Sequence, residues 1–158
     1  MITIHPITRA LVPVNTDAAE RISAPNYDEF QGDLEIWQAI SETPESVLRV
    51  TMAHCDTDDP SEAIKGDSAQ ALDWARRNMK ALRESVLTCE MERLLFVYEI
   101  MDPRRPSTKQ IGLGGMARTE EIRTAANPAG SIIRNEGIRE PKARGRAKLV
   151  EATRAIIG

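Results

Sequence analysis

Aromatic residues make up only 4% of this 158-residue chain, so any core it builds must be largely aliphatic. The same scarcity leaves few rings for stacking on bases, which argues against a nucleic-acid partner. Cysteine is also sparse. Cys55 and Cys89 stand alone with no CxxC pair, and the chain has only two histidines, so neither a structural zinc site nor a disulfide framework is expected. No apolar run approaches the ~20 residues that a membrane-crossing helix needs. The opening "MITIHPITRALVPV" has no basic leader, and Pro6 and Pro13 interrupt its apolar stretch, so no signal peptide is expected. The cytoplasm is the expected compartment.

The chain contains 41% hydrophobic and 28% charged residues, the proportions of an ordinary globule. Its length suits a single domain spanning 1–158. The net charge of −3 is unevenly placed: residues 131–158 hold seven Lys/Arg against three Glu, a local +4 that leaves −7 elsewhere. A cationic patch on an acidic protein suits a compact anion better than a long polyanion. The competing reading is a terminal helix with a solvated basic face.

Along the chain, "ITIHP" reads as a short strand and "RALVPV" as its extension. Thr16 or Asp17 is placed to cap a brief helix through "AAERIS". "APNYDEF" is a loop. "DLEIWQAIS" sets Leu34, Trp37 and Ile40 on one helical face. "SVLRVTMA" alternates and is β-branched, which predicts a strand. A long helix over roughly 67–87 follows, then "RLLFVYEIM", read as a central strand, and "KQIGLGGMA", its hairpin partner. "SIIR" is a further strand, and Pro141 fits the first turn of a closing helix. Strands and helices mix without strict alternation. The expected fold is therefore α+β, with a small mixed sheet flanked by about four helices.

Several stretches bear chemistry. "GLGGM" lacks both GxGxxG and GK[ST], so close packing within a strand is the expected role of its glycines. "HCDTDD" at 54–59 offers an imidazole, a thiol and carboxylates, but lacks EF-hand spacing and reads as a solvated turn. His5 has no sequence-local partner and reads as structural. In "APNYDEF", Tyr27 and Asp28 can present a hydroxyl and a carboxylate at a cleft, although Asp28 can equally cap the next helix. In "IIRNEGIREPKARGRAK", Arg139, Lys142 and Arg146 recur at three- and four-residue spacing, which stacks them along one helix face. Such a row beside a helix N-terminus can hold phosphate, and Glu136 among those cations can stay ionised as a base.

These residues resemble a bacterial and archaeal family catalogued as domain of unknown function one-zero-one-five. "IHPITRALVP" is similar to its opening, with Pro6 and Arg9 matching. "ISAPNYDEF" retains the Pro25, Tyr27 and Asp28 of its alanine-proline-proline-tyrosine-aspartate segment, with Asn26 in place of one proline. "FVYEI" and "GLGG" match a tyrosine strand and the glycine-rich strand after it. The family's His-Glu-x-Thr-Arg and Lys-Glu-x-Asp-Arg runs align with Asn135, Glu136, Gly137, Ile138 and Arg139, then Lys142, Ala143, Arg144, Gly145 and Arg146. Here Asn135 replaces the histidine, Ile138 the threonine, and Ala143 and Gly145 the acids. Family members are typically longer, so the chain is expected to be a minimal member or to lack a portion. The resemblance implies a fold and a site location rather than a reaction. A looser likeness of "NEGIREPKARGRAKLVEA" is to the ParB and sulfiredoxin-like fold, which implies nucleotide-phosphate binding.

The expected function is that of a small-molecule enzyme, or a degenerate one, with a phosphate-binding cleft. Phosphoryl transfer to a small hydroxyl metabolite such as an amino acid is the expected reaction. Glu136 and Asp28 would be catalytic, while Arg139, Lys142, Arg146, Asn135, Tyr27 and Arg9 would bind substrate or phosphate. ADP or ATP with magnesium is the cofactor class this admits. The alternative is a non-catalytic binding or regulatory subunit that needs a partner protein or a second copy of itself.

Overall fold

A computed structural model describes residues 3–157, apart from 26, 63, 134–136 and 138 and the side chain of Tyr27. The chain divides into two compact units. One comprises Met1–Leu11 and Glu90–Gly137, the other Val12–Cys89 and Ile138–Gly158. The fold is α+β. No described helix is long and apolar enough to cross a membrane.

The second unit is helical. Helix α1, Thr16–Ile22, is capped by Asn15, whose side chain accepts the Ala18 amide at 2.8 Å. The cap is thus one residue earlier than Thr16, because Asn15 is the residue with extended backbone and a free oxygen. Helix α2, Asp33–Glu42, buries Ile36 and Ile40 and half-buries Trp37, while Leu34 faces solvent. The segment predicted as the strand "SVLRVTMA" is instead helix α3, Leu48–Thr51, followed by a 3₁₀ turn at Ala53–Cys55. Its backbone closes on itself: the Thr51 amide donates to Val47 O at 3.0 Å and that of Met52 to Leu48 O at 2.7 Å. The β-like alternation of Leu48 and Val50 reflects burial on two sides of one helical turn, and that tertiary packing overrides strand propensity.

Helix α4, Ala69–Glu84, is capped by Ser68 and lays Ala71, Ala75 and Met79 into the core. Small residues there allow α4 to approach α3 and the 3₁₀ turn closely. Helix α5, Glu140–Thr153, begins with proline in its first turn, as its sequence predicts, and packs on α4. Arg83 of α4 donates to the carbonyls of Thr153 and Arg154 at 3.2 and 3.4 Å, satisfying the end of α5. Lys148 meets Asp67 at 2.9 Å.

Strand β1, Ile7–Pro13, pairs with β2, Thr88–Leu94, and both run from one unit into the other. In the first unit, β3, Phe96–Met101, pairs antiparallel with β4, Lys109–Gly114. Two separate two-stranded sheets therefore stand where one small mixed sheet was expected. The predicted central strand is half of a hairpin with every β3 residue exposed, including Val97 at 71%. Its glycines have the expected packing role: a Cβ on Gly112 would fall within the Tyr98 ring, and one on Gly114 within that of Phe96. Of the "SIIR" segment, the described residues form one bridge, Ile132 with Ile122, and residue 134 lies outside them.

Burying Leu48, 3% exposed, contributes about 1.5–3 kcal/mol by area alone. Leu48→Ala, which also opens a cavity, is expected to lower unfolding free energy by roughly 2–5 kcal/mol, read from denaturant titration of the helical circular-dichroism signal.

Candidate functional site

The residues singled out at the start of α5 are partly brought together. Asp28 lies in a 3₁₀ turn at Tyr27–Glu29 and does not cap α2, whose cap position is Gly32 without a side-chain bond. Instead its carboxylate stands 3.9 Å from Lys142 Nζ. Tyr27 shares that turn through its backbone. Arg139 occupies the cap position of α5, with its carbonyl accepting the Ala143 amide at 3.0 Å. Arg146 lies a turn beyond Lys142, and Arg139, Lys142 and Arg146 are all exposed. Between them Arg144 pairs with Glu140 at 3.6 Å. Asn135 and Glu136 lie outside the described residues. Arg9 belongs to the other unit, on β1, where it pairs with Glu90.

A second cationic arrangement lies in the first unit. His5 exchanges two backbone hydrogen bonds with Met116, of 2.7 and 2.8 Å. Gly115 permits this approach: a Cβ there would stand 2.9 Å from the His5 carbonyl and 2.7 Å from Ile4. The bridge sets His5, Pro6 and Thr8 against Met116, Ala117, Arg118 and Arg93 around a hollow of about 520 Å³. No carboxylate lines it. The Nε2 atom of His5 is buried with no hydrogen-bond partner among the described residues. Arg93 holds a left-handed φ of 55°, a conformation that costs a non-glycine residue about 1–2 kcal/mol. Among the described residues, neither Arg93 nor Arg118 has an ion-pair partner. Two uncompensated guanidiniums, an imidazole nitrogen and a threonine hydroxyl at one hollow can together receive an oxyanion by charge-assisted bonds.

Sequence reasoning took His5 as structural and did not single out Arg93 or Arg118. These residues come from three segments, at 5–8, 93 and 116–118, and one backbone bridge joins the first to the last, so no local motif could reveal the hollow.

A model of the family described as "Protein of unknown function (DUF1015)" matches residues 4–158. The chain belongs to the DUF1015 family. No curated protein and no solved structure matches it. The DUF1015 match takes in β1, the Tyr27 turn, the glycine-rich β4 and all of α5 as far as Thr153, so both cationic arrangements fall inside the family's span.

The "HCDTDD" stretch is more structured than the expected solvated turn. Asp56 accepts two bonds of 3.1 Å from Arg49 Nε and one of 2.7 Å from Asn78, and Asp59 accepts from Ser61. Cys55 is fully enclosed. Burial, with the Asp33 carboxylate nearby, pushes its thiol up to about 12. The raised value keeps it protonated, and so a poor nucleophile, at any pH well below 12. Cys89 is exposed. Labelling of the metal-free native protein with a disulfide reagent at pH 8 is expected to modify Cys89 rapidly and Cys55 only after denaturant is added.

Proposed function

We propose that this protein binds a small phosphate-bearing molecule, a nucleotide such as ADP or ATP or a phosphorylated metabolite, with the hollow at His5, Thr8, Arg93 and Arg118 as the seat of the anion. The observation that carries this reading is the pair of arginines without acidic partners beside an unsatisfied imidazole. A buried polar nitrogen without a partner costs about 1–3 kcal/mol, and a bound oxyanion removes that cost when His5 is protonated at Nε2. The strained backbone at Arg93 fits a side chain held where a ligand requires it.

If the seat lies at α5 instead, phosphoryl transfer to a small hydroxyl compound is the reaction class its residues fit. Asp28 beside Lys142 places a carboxylate that can orient a hydroxyl or a magnesium ion next to an ammonium that can neutralise phosphate charge. Such transfer depends mainly on positioning and charge, which those side chains supply.

A second reading, that of a binding or regulatory subunit completed by a partner protein, is favoured by the β3–β4 hairpin. Val97, Ile100, Ile111 and Leu113 are each more than half exposed there, a run of apolar surface that association would cover.

A thermal-shift and calorimetric series on the full chain with phosphate, ADP and ATP, with and without magnesium, separates these readings, because a ligand that binds only the folded state raises the melting temperature. The phosphate seat predicts a shift that Arg118→Ala and Arg93→Ala each weaken by about 10–100-fold in affinity, the scale of one lost charged hydrogen bond. Arg146→Ala should leave it unchanged. The reverse pattern would move the seat to α5, and no response to any phosphate compound would remove the reading. Release of ADP from ATP that depends on an added hydroxy amino acid, lost in Asp28→Asn, is the outcome expected of phosphoryl transfer.

A further inference from the structure

We propose that Asp33, His54 and Cys55 form a transition-metal site, with zinc(II) the ion their chemistry fits best. One donor atom from each, a carboxylate oxygen, an imidazole nitrogen and a thiol sulfur, lies within 4.8 Å of the other two. The Nε2 atom of His54 stands 3.5 Å from Asp33 Oδ1. Zinc bonds of about 2.0–2.3 Å directed to tetrahedral corners put neighbouring donors roughly 3.3–3.6 Å apart, so this pair already has the spacing of two ligands on one ion. The mixture of one sulfur, one nitrogen and one oxygen suits zinc and excludes magnesium and calcium, which take oxygen ligands almost alone. A thiolate and a carboxylate together neutralise a divalent cation, so the filled site carries no net charge into its partly buried position.

Separate elements hold the three donors. Asp33 opens α2, and its side chain is 62% exposed. Cys55 is 0% exposed and packs with Ile36, Ile40 and Leu48. The His54 side chain is only 17% exposed, yet among the described residues Asp33 is its one polar partner. Gly66 lies beside its ring: a Cβ at 66 would stand 3.2 Å from Nδ1, a tight contact that glycine avoids. The same turn is anchored by Asp56, one residue on, through Arg49 and Asn78. Donors fixed in this way lose little further freedom when they bind. Three protein ligands would leave a fourth position for water. That is the pattern of zinc sites with an open position rather than of closed four-ligand sites. As the metal–sulfur bond forms, the thiol proton leaves to solvent.

The experiment uses the full chain, stripped with a chelator, reduced, and titrated with cobalt(II) as a spectroscopic stand-in for zinc. The expected result is saturation at one equivalent, with a thiolate-to-cobalt charge-transfer band in the near ultraviolet, intense visible bands of a tetrahedral ion, and loss of both on adding zinc. Cys89→Ser should keep the spectrum and Cys55→Ser should lose the charge-transfer band. Cys55 lies in the core, so its replacement alone would confuse unfolding with ligand loss. His54→Ala and Asp33→Ala are therefore the deciding variants, each checked for native circular dichroism. Each should weaken cobalt binding by more than the roughly 10–100-fold that loss of a supporting partner costs. A wild-type protein without the charge-transfer band overturns the proposal. So does a folded His54→Ala or Asp33→Ala protein with unchanged affinity and bands, which would leave an ordinary ion pair above a core cysteine.

Discussion

The helical unit depends on one carboxylate. Asp56, with its side chain only 16% exposed, accepts from Arg49 of α3 and Asn78 of α4, and Asn78 also donates to the Arg49 carbonyl at 2.7 Å. A half-buried anion with every available oxygen engaged is stable where an unpaired one would not be. Three consequences follow for the chain around it. The segment from Leu48 to Cys55 is coiled rather than extended, Trp37 can donate to Thr57 O at 2.9 Å, and Cys55 is pressed into the aliphatic cluster of Ile36, Ile40 and Leu48. With so few aromatic residues, this tie between polar groups does part of what ring packing does in other small cores.

The two units contrast in how they are held. Every buried hydrophobic residue among those described falls between Ala18 and Leu87, in the helical unit. The other unit is organised chiefly by backbone: the β3–β4 ladder, the His5–Met116 bridge and the Ile122–Ile132 bridge. The hollow at His5 and the apolar hairpin both lie in this unit, while the Asp28–Lys142 pair and the mixed donor cluster lie in the helical one.

Charge is distributed by the same logic. On α5, cations alternate between partners and solvent: Arg144 to Glu140, Lys148 to Asp67, Arg139 and Arg146 outward. The Lys148 and Lys65 ammonium groups hold the Asp67 carboxyl below its ordinary value. That contribution to the docking of α5 is present above the usual carboxylate range and is lost as pH falls below it and through the lowered value. Two of the α5 cations, Lys142 and Lys148, tie the helix to other elements through Asp28 and Asp67. Arg93 and Arg118, outside that helix, have no ion-pair partner among the described residues.

The sequence by itself determined the α+β class, the amphipathic helices α2, α4 and α5, the antiparallel hairpin of β3 and β4, and family membership, because these depend on local periodicity, turn chemistry and motif residues. Asp28 and Lys142, two residues expected near one site, stand 3.9 Å apart. Only the tertiary structure decided that "SVLRVTMA" is helical, that the most hydrophobic strand is exposed, and which distant side chains share a hollow or a donor cluster. Each of these turns on partners tens of residues away. Leu48 is buried by other helices, His5 is seated by Met116, and Asp33 reaches Cys55 across the interval between α2 and the 3₁₀ turn. A pattern read along the chain reports a residue's neighbours in sequence, whereas burial and convergence are properties of its neighbours in space.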